Sequence, residues 1–261
     1  MSDDQGRPIW YELMTSGGSL GAAETFYGEV LGWSWRDSGM EGFTYHLASA
    51  GGDMVAGLME TPPDAGGMPP FWMIYFAVDD ADRTAAAIEA AGGRIHRAPA
   101  DIPGTGRFAV VGDPQGAGFG ILQPEPMEGG GAGNAFDQAK PGHGNWNELM
   151  STDPAGALRF YSGLLGWEKS GSVDMGEMGT YQLFSHDGTD IGGMMGLGNS
   201  PVPAWLPYFG VEGVTAAIGR IEAGGGRLAH GPMEVPGGAF IAVAQDPQGA
   251  WFAVVGPTQA G

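Results

Sequence analysis

The chain states one pattern twice. Trp10-Tyr-Glu12-Leu-Met-Thr-Ser, followed by Phe26-Tyr27 and Leu31-Gly32-Trp33, returns as Trp146-Asn-Glu148-Leu-Met-Ser-Thr, followed by Phe160-Tyr161 and Leu165-Gly166-Trp167. Further on, Trp72-x-x-Tyr75-Phe76 returns as Trp205-x-x-Tyr208-Phe209, Gly92-Gly93-Arg94 as Gly225-Gly226-Arg227, and Asp113-Pro114-Gln115-Gly116-Ala117 as Asp246-Pro247-Gln248-Gly249-Ala250, all shifted by 133 positions. Landmarks that recur in order in this way require a duplicated domain, and the two copies serve as an alignment of the chain with itself.

A length of 261 residues accommodates two such copies, each of about 120 residues, a size that supports its own hydrophobic core. The charge is lopsided. Thirty acidic residues face 11 basic ones, for a formal net charge of -19. That field repels phosphate backbones and anionic surfaces, so neither nucleic acid nor membrane is an expected partner. No segment reaches the roughly 18 apolar residues of a membrane span, and the first residues lack the basic-then-apolar order of a secretory signal, so a cytoplasmic location is expected. Without cysteine there is no disulfide framework and no thiolate nucleophile or metal ligand. Chemistry falls to carboxylates, histidine, tyrosine, hydroxyls or a bound ligand.

Residues 125–142 are rich in turn formers, include the run Gly129-Gly130-Gly131-Ala132-Gly133 and lack any apolar period. They read as a linker between a first domain at 1–124 and a second at 143–261. Periodicity sets the elements within each copy. Ile9 to Met14 is a short aromatic-rich run, hence a strand. Leu20 to Leu31 places Ala23, Phe26, Tyr27, Val30 and Leu31 on one helical stripe that stops at Gly32. Strands near 42–49 and 53–60 follow, then a strand at 72–78, a helix at 81–91 and strands near 94–97, 107–112 and 117–123. Each copy is a pair of βαβββ modules, an α+β design. Phe26, Tyr27 and Trp33 are core residues, and Asp113 and Asp246 open hairpin turns.

The order of elements, together with Trp10-x-Glu12-Leu13, Pro69-Pro70-x-Trp72, Pro99-x-Asp101-Ile102-Pro103-Gly104 and Gly106-Arg107-Phe108-Ala109-Val110-x-x-Asp113-Pro114-Gln115-Gly116-Ala117, resembles the vicinal oxygen chelate superfamily. Its members include glyoxalase I, extradiol dioxygenases and bleomycin-resistance proteins. The resemblance is closest to the tandem-domain actinobacterial type labelled glyoxalase-like or hydroxylase. It implies two tandem domains whose sheets curl into cups. Metal-dependent members hold a divalent ion with side chains on strands one, four, five and eight. The first-strand ligand falls here at Trp10 and Trp146, the strand-five ligand at Met73 and Leu206, and the final glutamate at Gly120 and Ala253. None of these side chains ligates a hard or borderline metal, so no metal and no other cofactor is expected. The Gly-x-Gly-x-x-Gly of a dinucleotide site is missing too.

With the Trp10 position turned into the cup, strand alternation sends Glu12 and Met14 the same way, and likewise Trp146, Glu148 and Met150. An acid between a tryptophan and a methionine, in both copies, is the leading candidate for chemistry. Desolvation there would raise its pKa and suit it to general base work. The competing reading makes Glu12 and Glu148 structural acceptors at the cup rim. His46 follows Tyr45, aligns with Gln182 and is a third catalytic candidate. The remaining histidines read as solvated. Arg107, whose counterpart is Phe240, is read either as an anchor for an anionic ligand group or as a surface ion pair. Trp10, Met14, Trp72, Tyr75, Trp146, Met150, Trp205 and Tyr208 suit a flat, largely apolar ligand, or else fill the core.

Three functions stay open. The first is a glyoxalase-related protein that binds an aromatic or carbonyl-bearing metabolite without turnover. The second is a metal-independent enzyme, of hydroxylase-associated, isomerase or cyclase type, with Glu12 or Glu148 as base. The third is a metal-dependent enzyme using ligands such as Glu12 with His46. The partner is a small molecule, and the expected assembly is a monomer with two facing domains or a homodimer.

Overall fold

The computed structural model describes residues 4–40, 42–62, 67–125 and 133–259. The first half runs β1 (Pro8–Thr15), α1 (Leu20–Leu31), β2 (Ser34–Asp37), β3 (His46–Ala50), β4 (Asp53–Glu60), β5 (Phe71–Ala77), α2 (Ala81–Ala90), β6 (Arg94–Ile102), β7 (Gly106–Gly112) and β8 (Gly118–Pro124). The second half repeats this as β9 (Gly144–Met150), α3 (Pro154–Leu165), β10 (Glu168–Asp174), β11 (Thr180–His186), β12 (Thr189–Met195), β13 (Ala204–Gly210), α4 (Val214–Ala223), β14 (Arg227–Glu234), β15 (Phe240–Gln245) and β16 (Trp251–Gly256), with a short 3-10 helix at Gly176–Met178. The four βαβββ modules are present. Strand β2 had no counterpart among the strands located in the sequence, because only four mostly exposed residues form it, too few for a period to register.

Local chemistry explains the helices. Helix α1 buries Ala23, Phe26, Tyr27, Val30 and Leu31 and ends where Gly32 takes the left-handed conformation that a side chain would resist. In α2 the Asp80 carboxylate accepts from the Arg83 amide, and in α3 Asp153 does the same for Gly156, ahead of a proline in the first turn. Strands order as β2-β3-β4-β1-β5-β8-β7-β6 in one sheet and β10-β11-β12-β9-β13-β16-β15-β14 in the other, so each sheet is an α+β half of the duplicated chain.

Compactness follows a different division. One unit comprises residues 10–73, 134–145 and 206–261, and the other comprises 1–9, 74–133 and 146–205. Each therefore joins one module from each half. In the first unit, Tyr27 of α1 packs edge-on against Trp72 and Phe252, and Phe209 packs against Tyr11, Trp33 and Trp72. In the second, Tyr161 of α3 packs against Phe119 and Trp205, and Phe76 against Trp167 and Trp205. Both cores are aromatic lattices in which edge-to-face pairs outnumber stacked ones such as Tyr27–Trp33 and Tyr161–Trp167, and both geometries add to simple area burial.

The end of the stretch read as linker is docked. Within the first unit, Ala135 and Phe136 are buried, Phe136 bridges to Gly144, and Asp53 at the start of β4 bonds to Asn134, Lys140 and His143. These contacts hold the Asp53 carboxyl down at about 2, through the side-chain bonds from Asn134 and Lys140 first. His143, read from sequence as solvated, is instead 1% exposed. Residues 126–132 of that stretch lie outside the described residues.

Candidate functional site

Strand β1 alternates as expected. Tyr11, Leu13 and Thr15 are fully buried on the helix side, and Trp10, Glu12 and Met14 share the other face. On that face the indole of Trp10 donates to the hydroxyl oxygen of Tyr45 at 2.8 Å, and the Tyr45 hydroxyl donates to Glu12 Oε2 at 2.8 Å. Glu12 is 8% exposed. The second half reproduces the chain of bonds: Trp146 donates to Tyr181 at 2.8 Å, and Tyr181 bonds to Glu148. Burial, reinforced by the neighbouring glutamate charge, pushes both phenols well above their ordinary range. Each tyrosine thus keeps its proton at neutral pH and presents it to the carboxylate.

The backbone is cut to fit this cluster. Glu12 pairs in register with Gly57 of β4, and Glu148 with Gly193 of β12. A Cβ at either glycine would collide with the ring of Tyr45 or Tyr181, so only glycine lets the phenol lie across the strand. Tyr45 and Tyr181 are the residues that sequence reasoning missed. Their signal was present, since tyrosine recurs in both copies while the following position changes from His46 to Gln182.

His46 is corrected. Its Nδ1 bonds to Glu24 of α1, on the helix side of the strand, whereas the preceding Tyr45 bonds to Glu12. His46 thus bonds to Glu24, while Tyr45 is the neighbour that reaches Glu12.

Trp72 and Trp205 lie in the core. Their indoles donate to Tyr27 at 2.9 Å and to Tyr161 at 3.1 Å, and both are buried in the aromatic lattices behind the sheets. The tyrosines in turn bond to Asp246 at 3.0 Å and Asp113 at 3.2 Å. The other oxygen of each aspartate accepts amides of its own turn. Burial raises both aspartates, which makes these turns part of the core as well as of the hairpins.

Tyr75 and Tyr208 point oppositely to these tryptophans by strand alternation and are also buried. Tyr75 sits opposite Gly120, where a Cβ would strike its ring, and lies 6.5 Å from Phe108 between centroids. Its ring occupies the space that a glutamate at position 120 would enter.

Arg107 is placed as an ion pair. Its guanidinium grips Asp82 of α2 with two bonds, at 2.6 and 3.0 Å, and Asp101 with a third at 2.8 Å, which holds Asp82 low. Met14 and Met150 remain half-buried beside Glu12 and Glu148. A groove of about 600 Å³ lined by residues including Lys140, Asn145, Gly210 and Glu212 is bordered by none of the candidate residues.

The side chains at the positions where the resemblance places metal ligands do not suit a metal. Trp10, Met73 and Gly120, with Trp146, Leu206 and Ala253, offer no oxygen or imidazole, and among the described residues no three His, Asp or Glu side chains are grouped to hold an ion.

Comparison with known proteins places the chain. The model of the Glyoxalase/Bleomycin resistance protein/Dioxygenase superfamily matches residues 13–121 and 143–254. The chain is 34% identical over 260 residues to "Putative glyoxylase CFP32" of Mycobacterium tuberculosis (strain CDC 1551 / Oshkosh), covering 97% of this chain and 95% of that protein. It is also 34% identical over 269 residues to "Anthracycline biosynthesis protein DnrV" of Streptomyces peucetius, covering 96% and 93%. Among solved structures, the fold is similar to the Mn(II)-bound glyoxalase of Novosphingobium aromaticivorans, with a TM-score of 0.64 at 17% identity over 97% of this chain and 81% of that one. The 2,3-dioxygenase LapB of Pseudomonas sp. KL28 gives 0.66 at 16% identity over 97% and 93%.

Proposed function

The chain belongs to the Glyoxalase/Bleomycin resistance protein/Dioxygenase superfamily, and from that premise we propose that it binds a small aromatic, carbonyl-bearing metabolite at the Trp–Tyr–Glu cluster. One observation carries this reading: the relay in which Trp10 fixes the Tyr45 oxygen and Tyr45 fixes a carboxylate oxygen of Glu12. A carboxylate held in this way is a preorganised acceptor for a ligand hydroxyl, and the indole and thioether of Trp10 and Met14 flank it with surface that suits rings. Trp146, Glu148 and Met150 supply the same chemistry in the second half. The relationship to an anthracycline biosynthesis protein supports a hydroxylated polycyclic ketone as the ligand class.

Binding is proposed over turnover because the relay commits one oxygen of Glu12 to the Tyr45 hydroxyl, which keeps its proton. A general-base role for Glu12 would run through its other oxygen. Titration of the purified protein with 1,8-dihydroxyanthraquinone, followed by tryptophan fluorescence, tests the reading. Saturable quenching that weakens in Tyr45→Phe is expected; linear, unsaturated quenching would overturn it. Consumption of the probe by the wild type but not by Glu12→Gln, at equal affinity, would replace binding with catalysis.

A further inference from the structure

The two clusters share a relay but differ in what stands over it. In the second half β10 and β11 pair along their length, with Val173 opposite Tyr181 and Asp174 opposite Thr180. The turn between them is drawn tight by the 3-10 helix Gly176–Met178 and a bond from the Met175 amide to the Gly179 carbonyl. Tyr181 is thereby fixed inside a ladder. In the first half the register ends at Asp37 opposite His46 and a single further bond runs from the Ser38 amide to the Tyr45 carbonyl, so Tyr45 sits at the very end of the ladder, next to the connection that also carries Met40 and Phe43.

Phe43 is 41% exposed, yet its ring lies nearly parallel to Tyr45, at 22° and 6.0 Å between centroids. One face of Phe43 is thus turned to the ring whose hydroxyl holds Glu12, and much of the side chain remains open to solvent. At the matching place in the second half, two residues before Tyr181, stands Gly179, which carries no ring and whose φ of +83° disfavours any side chain although the space beside it is open. A glycine offers no stacking surface, and a free phenylalanine offers a large one.

Resting on the proposed binding reading, we infer that Phe43 is a specificity-determining residue: it forms the stacking wall for a flat aromatic ligand beside the Trp10–Tyr45–Glu12 relay. Only the first half takes such a ligand. The second half keeps the relay without the wall.

Isothermal titration of the whole chain with 1,8-dihydroxyanthraquinone tests this. One site per chain is expected. Phe43→Leu, which keeps an apolar side chain but removes the ring, weakens binding about three- to tenfold, the range that one aromatic contact supplies, and Phe43→Trp restores it. Met178→Ala, which trims an exposed side chain of the second-half turn, leaves affinity unchanged. Thermal unfolding of the Phe43 variants, expected to match the wild type, shows that the fold is kept. Two sites per chain, or unchanged affinity in Phe43→Leu, overturns the inference while leaving the binding reading in place. No saturable binding by the wild type overturns both.

Discussion

The indole nitrogen of Trp33 donates to the carbonyl of Gly142 at 2.7 Å, across 109 positions of sequence. Trp167 does the same for Gly6 at 2.8 Å. The segment ahead of each half's first strand is thus fastened by the tryptophan that follows the other half's first helix. Trp33→Phe removes the donor and leaves a buried carbonyl unpaired, so it should cost about 1–3 kcal/mol. Urea unfolding of the full chain measures this.

Tyr27 and Tyr161 each accept from a tryptophan and donate to an aspartate in the other half's final turn. Tyr27→Phe strands the Trp72 N–H and an oxygen of Asp246 together, with an expected loss of about 2–4 kcal/mol. Tyr161→Phe should match it. The two sites share no partner, so the double variant should lose the sum to within about 0.5 kcal/mol, again read by urea unfolding.

Asp53 sets a dependence on acidity. Its carboxyl titrates at about 2 in the folded chain against 3.8 for the free group. The folded state therefore holds fewer protons in that window, and the stabilisation is complete above 3.8 and lost as pH falls toward 2. The advantage of the wild type over Asp53→Asn should shrink progressively below about pH 4. Asp113 and Asp246 are raised by burial and act in the opposite sense, their ionised forms weakening the fold as pH rises past 3.8. Denaturation midpoints across a pH series separate the two effects.

Trp72 and Glu12 should part company in assays. Trp72→Phe removes a buried indole and its bond, for about 1–3 kcal/mol of stability, with little change in affinity for 1,8-dihydroxyanthraquinone. Glu12→Gln should reverse that pattern, weakening the ligand while the fold persists. Paired unfolding and titration curves for the two variants check this.

The duplication made most of this legible. Repeated landmarks and helix stripes located the modules, and period-two alternation placed Glu12 and Met14 with Trp10. What escaped depends on contacts between residues far apart in sequence. Trp72 sits in an aromatic run without alternation, so its face is decided by Tyr27, 45 positions earlier. His46 and Tyr45 are neighbours whose roles are exchanged by which one faces α1. Arg107 shows no period either, and Asp82 and Asp101 claim it from separate elements. Asp113 and Asp246 looked sufficient as turn residues, and nothing nearby in the chain announces a tyrosine from the other copy.

Because each compact unit draws one module from either half, neither half carries a finished interior of its own. A lone copy would leave Tyr27 without Asp246, or Tyr161 without Asp113, and could satisfy them only by meeting a second molecule. Fusing the copies turns that encounter into an intramolecular one, independent of dilution. It also frees the paired copies to drift apart at places such as Phe43 and Gly179, while the residues that interlock stay bound to change in concert.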